Sequence, residues 1–265
     1  MKSKQEILSA LAQTEDDRVL LAGLMDKEQT CVSRGYLTHS RFLDLRERAL
    51  AAEAVRLMGS AGHTVFWGGY DDAERVLAVF YPEYLEEPSA REQTPLALLR
   101  AHKHPGDTLS HRDYLGALMG LQIDRAVIGD ILVHDGGADV LVLEDMAEFI
   151  LLHFDKAGRK RLTLSREPLA SLRQAQAGET EGEGSVASPR LDAVLALVFR
   201  LSRGEAQEQI ARGAVFLNHA QCLKGERTVA EGDRLTLRGM GRVRILSFGG
   251  VSRKGRIFIK FVKSC

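Results

Sequence analysis

The side chains best placed to do chemistry in this sequence are arginines spaced at strand periodicity near its C-terminal end. Along Leu235-Thr-Leu237 and Val243-Arg-Ile245, alternation sends Leu235, Leu237, Val243 and Ile245 to one side of a hairpin. Arg234, Thr236, Arg238, Arg242 and Arg244 are left on the other side, and Lys254, Arg256 and Lys260 extend it. Guanidinium groups on rigid elements make bidentate contacts to phosphate, and their summed field draws in a polyanion. One outward arginine is ordinarily just a solvated side chain. A one-sided cluster is different. From Pro189 to Cys265 there are 15 Lys+Arg against 6 Asp+Glu, a surplus of 9, whereas the whole chain has 36 of each. Residues Met1 to Ser188 therefore hold 21 basic and 30 acidic side chains, a deficit of 9. Such asymmetry is the footprint of a nucleic-acid-binding module joined to a less basic body.

Other chemistries have less support. His102, His104 and His111 with Asp113 could suggest a metal or acid–base site, because alternate histidines on a strand share a face. No cysteine or second carboxylate completes a metal-ligand spacing, so phosphate contact or polar surface is the preferred reading of His111 and Arg112. There is no P-loop and no Gly-x-Gly-x-x-Gly after a strand. The expectation is no catalytic residue, no metal, no cofactor and no small-molecule substrate. Trp67 and Tyr70 could stack on a base, but a strand-end aromatic is more often core.

The elements that must position the arginines are well signalled. Leu191, Val194, Leu195, Val198 and Phe199 form one apolar helical face, with Ser188 as expected N-cap and Pro189 as first residue. Ser202-Arg203-Gly204-Glu205 is a capping box that opens a second helix, and Gly213 is placed to end it. Val215-Phe216-Leu217 and the arginine hairpin follow as strands.

Upstream, the segment from 174 to 188 is rich in Gly, Glu, Ala and Ser and reads as a flexible linker. Before it, strand, helix, strand, strand, helix, strand are read over 96–101, 112–121, 128–133, 140–143, 146–155 and 161–164. That βαββαβ order is the ferredoxin-like, RRM-like sandwich. Helices at 7–11, 19–25 and 43–58 and a hairpin at 64–67 and 75–80 make up the first segment. The expected class is α+β, with an N-terminal domain over 1–85, a ferredoxin-like RNA-binding domain over 92–172, a linker over 173–188 and a C-terminal domain over 189–265. At 45% apolar and 27% charged the composition suits a globular protein. No apolar run reaches the roughly 20 residues that cross a bilayer. The first residues do not read as a secretory signal. Three scattered cysteines, Cys31, Cys222 and Cys265, fit a reducing cytoplasm, and no membrane partner is expected.

Arg190-Leu-Asp192, Ser202-Arg203, Ala206, Ile210, Gly213, Val215, Asn218, Gly232-Asp233 and Arg238-Gly239 resemble the S-four RNA-binding domain, a small helix–helix–sheet module. The resemblance implies RNA-binding roles for Arg190, Ser202, Arg203, Arg212, Lys224 and Arg238, to which the strand pattern adds Arg242 and Arg244. His219 stands where that family often has Gly after Asn, so the turn there must be built differently or with strain. Further upstream, Phe42-Leu-Asp44, Gly68-Gly-Tyr-Asp-Asp-Ala-Glu-Arg75, His111-Arg-Asp-Tyr-Leu-Gly-Ala-Leu118, Ile128-Gly-Asp-Ile131 and Lys254-Gly-Arg256 are similar to the bacterial YlmH-type proteins. That resemblance implies a cytoplasmic, non-catalytic binder of structured RNA, rRNA or tRNA, on the large ribosomal subunit carrying peptidyl-tRNA. It also implies an auxiliary RNA-binding role for the middle domain. Two alternatives stay open: an RNA-modifying enzyme that uses the S-four-like domain for targeting, and a protein–protein adaptor.

Overall fold

A computed structural model describes residues 3–173, 180–251 and 255–264. The chain divides into two compact units, Met1–Ala175 and Gln176–Cys265.

In the first unit, α1 (Lys4–Leu11), α2 (Glu15–Arg34) and α3 (Leu45–Met58) each open on a capping box. Ser3, Thr14 and Asp44 accept the backbone N–H three residues on, and Glu6, Asp17 and Glu47 return the bond, which satisfies otherwise orphaned donors. Ile7, Leu21, Leu24, Ala51 and Ala54 face a three-stranded sheet in the order β1-β3-β2, built from β1 (Thr38–His39), β2 (Thr64–Trp67) and β3 (Leu77–Phe80).

After α4 (Glu87–Glu92) come β4 (Leu96–Lys103), α5 (His111–Gly120), β5 (Ile128–His134), β6 (Gly137–Leu143), α6 (Glu144–His153), β7 (Lys156–Ala157) and β8 (Lys160–Glu167). The sheet order is β5-β6-β4-β8-β7, with every pair antiparallel. This is the ferredoxin-like arrangement read from the periodicity, lengthened by the small β7 edge. Tyr114, Leu118, Ala147, Ile150 and Phe154 cover one sheet face.

The boundary expected between residues 85 and 92 falls inside one compact unit, and a third cluster joins the cores on its two sides. Phe42, Val65, Leu77, Val79 and Tyr81 from the N-terminal segment share one cluster with Ala90, Leu96 and Leu143. Gly129 makes this possible, because a Cβ there would lie 2.7 Å from the Phe42 ring. The prolines and acids of 82–94 punctuate the surface of a single unit.

The second unit contains β9 (Thr180–Val186), α7 (Leu191–Val198), α8 (Arg203–Ala211), β10 (Val215–Leu217), β11 (Ala220–Gln221), β12 (Arg234–Leu237), β13 (Gly241–Val251) and β14 (Ile257–Ser264). Its sheet runs β11-β10-β12-β13-β14-β9. Here the linker reading is corrected. Residues 174–179 lie outside the described residues, but Thr180–Val186 is a strand paired along β14 from Thr180↔Lys263 to Ile257↔Val186. The sequence Thr-Glu-Gly-Glu-Gly-Ser-Val carries little strand propensity of its own. Its glycines instead make room for neighbours: a Cβ on Gly182 would sit 2.5 Å from the Phe261 ring, and one on Gly184 would sit 2.6 Å from Leu197. The first helix also starts later than expected, with Arg190 and not Ser188 at the N-cap. The Pro189 carbonyl instead accepts the Val229 N–H, and Arg190 bridges to Thr228.

Candidate nucleic-acid interface

The apolar half of the arginine hairpin is buried as the alternation requires: Leu235, Leu237, Val243 and Ile245 are all at 1% exposure or less. In the β12–β13 register Arg234 stands opposite Arg244 and Thr236 opposite Arg242. Like charges directly opposite across a strand pair repel, so the register concentrates positive charge on this face. Arg244 and Arg238 are exposed. The outer face is not uniformly open. Phe216 is fully buried and Thr236 nearly so, with the Arg238 guanidinium 5.7 Å from the Phe216 ring centre. The base of this cationic face is thus rigid.

The helical candidates are held differently. Asp192, fully buried on α7, accepts Arg190 Nε and Nη2 at 3.2 Å, Arg203 Nη2 at 3.3 Å and Gln207 Nε2 at 3.3 Å. Burial pushes the Asp192 carboxyl up, but those hydrogen bonds and the two guanidinium charges outweigh it and hold it below the usual carboxylate range. The Arg190 and Arg203 side chains stay 42% and 58% exposed. One carboxylate against two guanidinium groups leaves the cluster net cationic. Arg212 instead pairs with Glu208 one turn back at 2.5 Å, and Lys224 is an exposed loop residue. Ser202 caps α8, accepting the Glu205 N–H at 3.2 Å while its own N–H donates to Glu205 at 2.7 Å. The Ser202 and Glu205 N–H groups at this helix start are therefore used within the capping box. The Asn218-His219 turn has φ of 50° and 67°, so His219 does adopt a left-handed backbone that Gly would take without strain. Asn218 secures it by bonding Asp233 at 2.7 Å and accepting the Arg234 N–H at 2.9 Å. Lys254 lies outside the described residues. Arg256 bonds Ser185 of β9 at 3.0 Å and so contributes to the strand seam.

In the first unit, His111 is the opening residue of α5, and Arg112 lines a groove of about 440 Å³ with Asp113, His153, Lys156 and Gly158. His102 meets Ser165 at 3.1 Å, and the His104 ring meets the Pro105 carbonyl at 2.9 Å, so the three histidines do not converge. Trp67 packs beside the shared core with Arg91 over its ring at 4.7 Å.

A family model described as "Putative RNA-binding domain in YlmH" matches residues 103–171, and the S4 domain model matches residues 189–235. The chain is 31% identical over 248 residues, 93% of its length and 95% of the relative's, to "Ribosome-associated protein quality control protein P2" of Bacillus subtilis (strain 168). The chain belongs to the YlmH-type family. A solved structure called "Cell division protein ylmH from Streptococcus pneumoniae" aligns with 60% of this chain and 95% of that one, at 20% identity and a TM-score of 0.49. As a YlmH-type protein the chain is α+β and carries its S4 domain at the C-terminal end. The S4 match ends at residue 235, so β13, β14 and β9 complete the sheet outside the matched core. Among the described residues no helix is long and apolar enough to cross a membrane.

Sequence reasoning missed the Asp192 clamp and the ties made by the Gly68–Arg75 segment. Asp130 accepts the Tyr70 hydroxyl at 2.7 Å, the Glu74 N–H at 2.8 Å and the Arg75 N–H at 3.1 Å. Two of the motifs that resemble YlmH-type proteins, one around Tyr70 and one around Asp130, are therefore a docked pair. Nothing local in either motif says that they meet.

Proposed function

We propose that this protein binds structured RNA on the ribosome and works by binding, without turnover of its own. The observation that carries the reading is near full-length similarity to a ribosome-associated quality control protein, joined to a rigid cationic sheet in the S4 unit. The finer assignment is rRNA or tRNA on the large subunit carrying peptidyl-tRNA, in the cytoplasm, and rests on the family resemblance. Arg238, Arg242 and Arg244 on the outer sheet face, and Arg190 and Arg203 on the helix pair that packs against the inner face, are the proposed phosphate contacts. Ser202, Arg212 and Lys224 flank them, and His111 with Arg112 form the proposed auxiliary contact in the first unit.

The test is co-sedimentation of the full chain with ribosomal particles, wild type against an Arg238→Ala/Arg244→Ala double variant, as a function of salt. Removing one arginine–phosphate pairing should reduce the log–log salt slope by about 0.7 to 0.9. A folded double variant with unchanged co-sedimentation and slope would refute the assignment. Insensitivity of the wild type to salt would favour an adaptor with an apolar interface.

A further inference from the structure

We infer that Arg75 and Arg125 form a phosphate-binding site in the first unit, where the N-terminal hairpin meets the middle sheet. The inference extends the RNA-binding reading to residues outside the S4 unit. Arg75 Nε donates to the Ile128 carbonyl at 2.9 Å, and Arg125 Nη1 donates to that same oxygen and to the Gly129 carbonyl at 3.2 Å. Arg75 Nη2 donates to the Arg125 carbonyl at 3.2 Å and to the Phe42 carbonyl at 3.3 Å. Two guanidinium groups are thereby pressed onto one acceptor.

The donors can be counted. An arginine has five N–H donors in a planar fork. Arg75 uses those on Nε and Nη2, and Arg125 uses those on Nη1. The Nη1 of Arg75 and the Nε and Nη2 of Arg125 have no hydrogen-bond partner among the described residues. No carboxylate among them takes these donors. The charges of Glu47, Asp130 and Asp44 act on Arg75 and that of Asp130 on Arg125, but Asp130 spends its oxygens on the Tyr70 hydroxyl and the Glu74 and Arg75 N–H groups. Glu47 pairs with Arg41 at 2.6 Å and caps α3 together with Asp44.

Both side chains are partly buried, and burial lowers both pKa values, that of Arg125 to about 10, with the neighbouring Arg75 charge adding to the effect. Burial lowers the His111 pKa, and the nearby Arg125 charge lowers it further. One arginine would suffice to tie the hairpin to β5. A second on the same oxygen adds repulsion that serves no tether. An anion with several acceptor oxygens relieves it, and phosphate matches the fork geometry. Its source is either an RNA backbone or a free phosphate compound.

The experiment follows the His111 ring resonances of the full chain during titration with inorganic phosphate, against chloride at matched ionic strength. Phosphate should shift them in a saturable way. Arg125→Gln, which keeps a donor for the carbonyls, should weaken that saturation by about tenfold, as expected when one charge-assisted hydrogen bond is removed. Equal responses to phosphate and chloride in the wild type would overturn the site even if Arg125→Gln failed to fold. So would an unaltered phosphate response in a folded Arg125→Gln. An RNA arm separates the sources: a smaller salt slope for Arg125→Gln assigns the site to an RNA backbone, and an unchanged slope with an abolished phosphate response assigns it to a free anion. Failure of the wild type to bind RNA would sink the proposed function while leaving the phosphate titration to decide this site.

Discussion

Asp192 and Arg203 are eleven residues apart in the chain and meet at 3.3 Å between Oδ2 and Nη2, with the acid fully buried and the base more than half exposed. A buried acid under exposed cations fixes where their charge is presented without cancelling it. The α7–α8 pair is thus an aimed surface whose orientation depends on one carboxylate.

Asp192→Asn separates aim from charge. The variant gains one unit of positive charge, so a purely electrostatic surface would bind RNA more tightly. We expect weaker binding instead, with a stability loss of about 1–2 kcal/mol from the charge-assisted bonds removed. Filter binding and urea denaturation measure the two effects.

The buried ion pair in the first unit should be far more sensitive. Arg100 meets Asp139 at 2.7 and 2.9 Å on neighbouring strands, and the pair also fixes the Ser171 carbonyl and the Arg173 N–H. Removing Arg100 leaves the fully buried Asp139 without its guanidinium partner, with only the Arg173 N–H and His134 to hold it among the described residues. Arg100→Leu should cost about 3–5 kcal/mol by denaturant unfolding.

Acid should destabilise both units through the same two carboxyls. Burial alone would raise Asp139, but the hydrogen bonds from Arg100, Arg173 and His134 and the Arg100 charge hold its pKa below the ordinary value, as the arginine clamp does for Asp192. A carboxyl depressed on folding contributes its full stability above its unfolded pKa of about 4, and that contribution is lost as pH falls through the folded value. Stability should therefore fall below roughly pH 4, and Asp139→Asn should flatten the acid limb for the first unit.

Gly68→Ala should damage the docked motif. Its new Cβ would lie 2.3 Å from the Arg75 carbonyl oxygen and 2.6 Å from the Ala73 Cβ, and neither backbone-fixed atom can swing away. The expected cost is about 1–3 kcal/mol. Gly62→Ala, with nothing within 4 Å, is the control and should stay within about 0.5 kcal/mol.

How much is legible in the sequence varies with the range of the interaction. Capping boxes at Ser202 and along the N-terminal helices act over three residues and can be read directly. The inward Leu235, Leu237, Val243 and Ile245 follow from a period of two. Thr180–Val186 reads as a linker because its strand state is imposed by Phe261 and Leu197, residues that its own composition does not reveal. The Arg75–Arg125 contact spans 50 positions and leaves no periodic trace. Arg212 illustrates a further limit: spacing makes it a candidate, yet the acid one turn earlier is also in plain view.

Because β9 and β14 lie antiparallel at the sheet margin, with Thr180 opposite Lys263, the polypeptide enters and leaves the C-terminal unit at neighbouring points. Such adjacency suits circular permutation. A short bridge could join those ends, and fresh ends could open at the exposed Gly239-Met240 bend with the sheet order preserved. A fragment begun at Pro189 would instead bare the edge of β14, along with Ile259 and Phe261, and invite strand-to-strand association between copies.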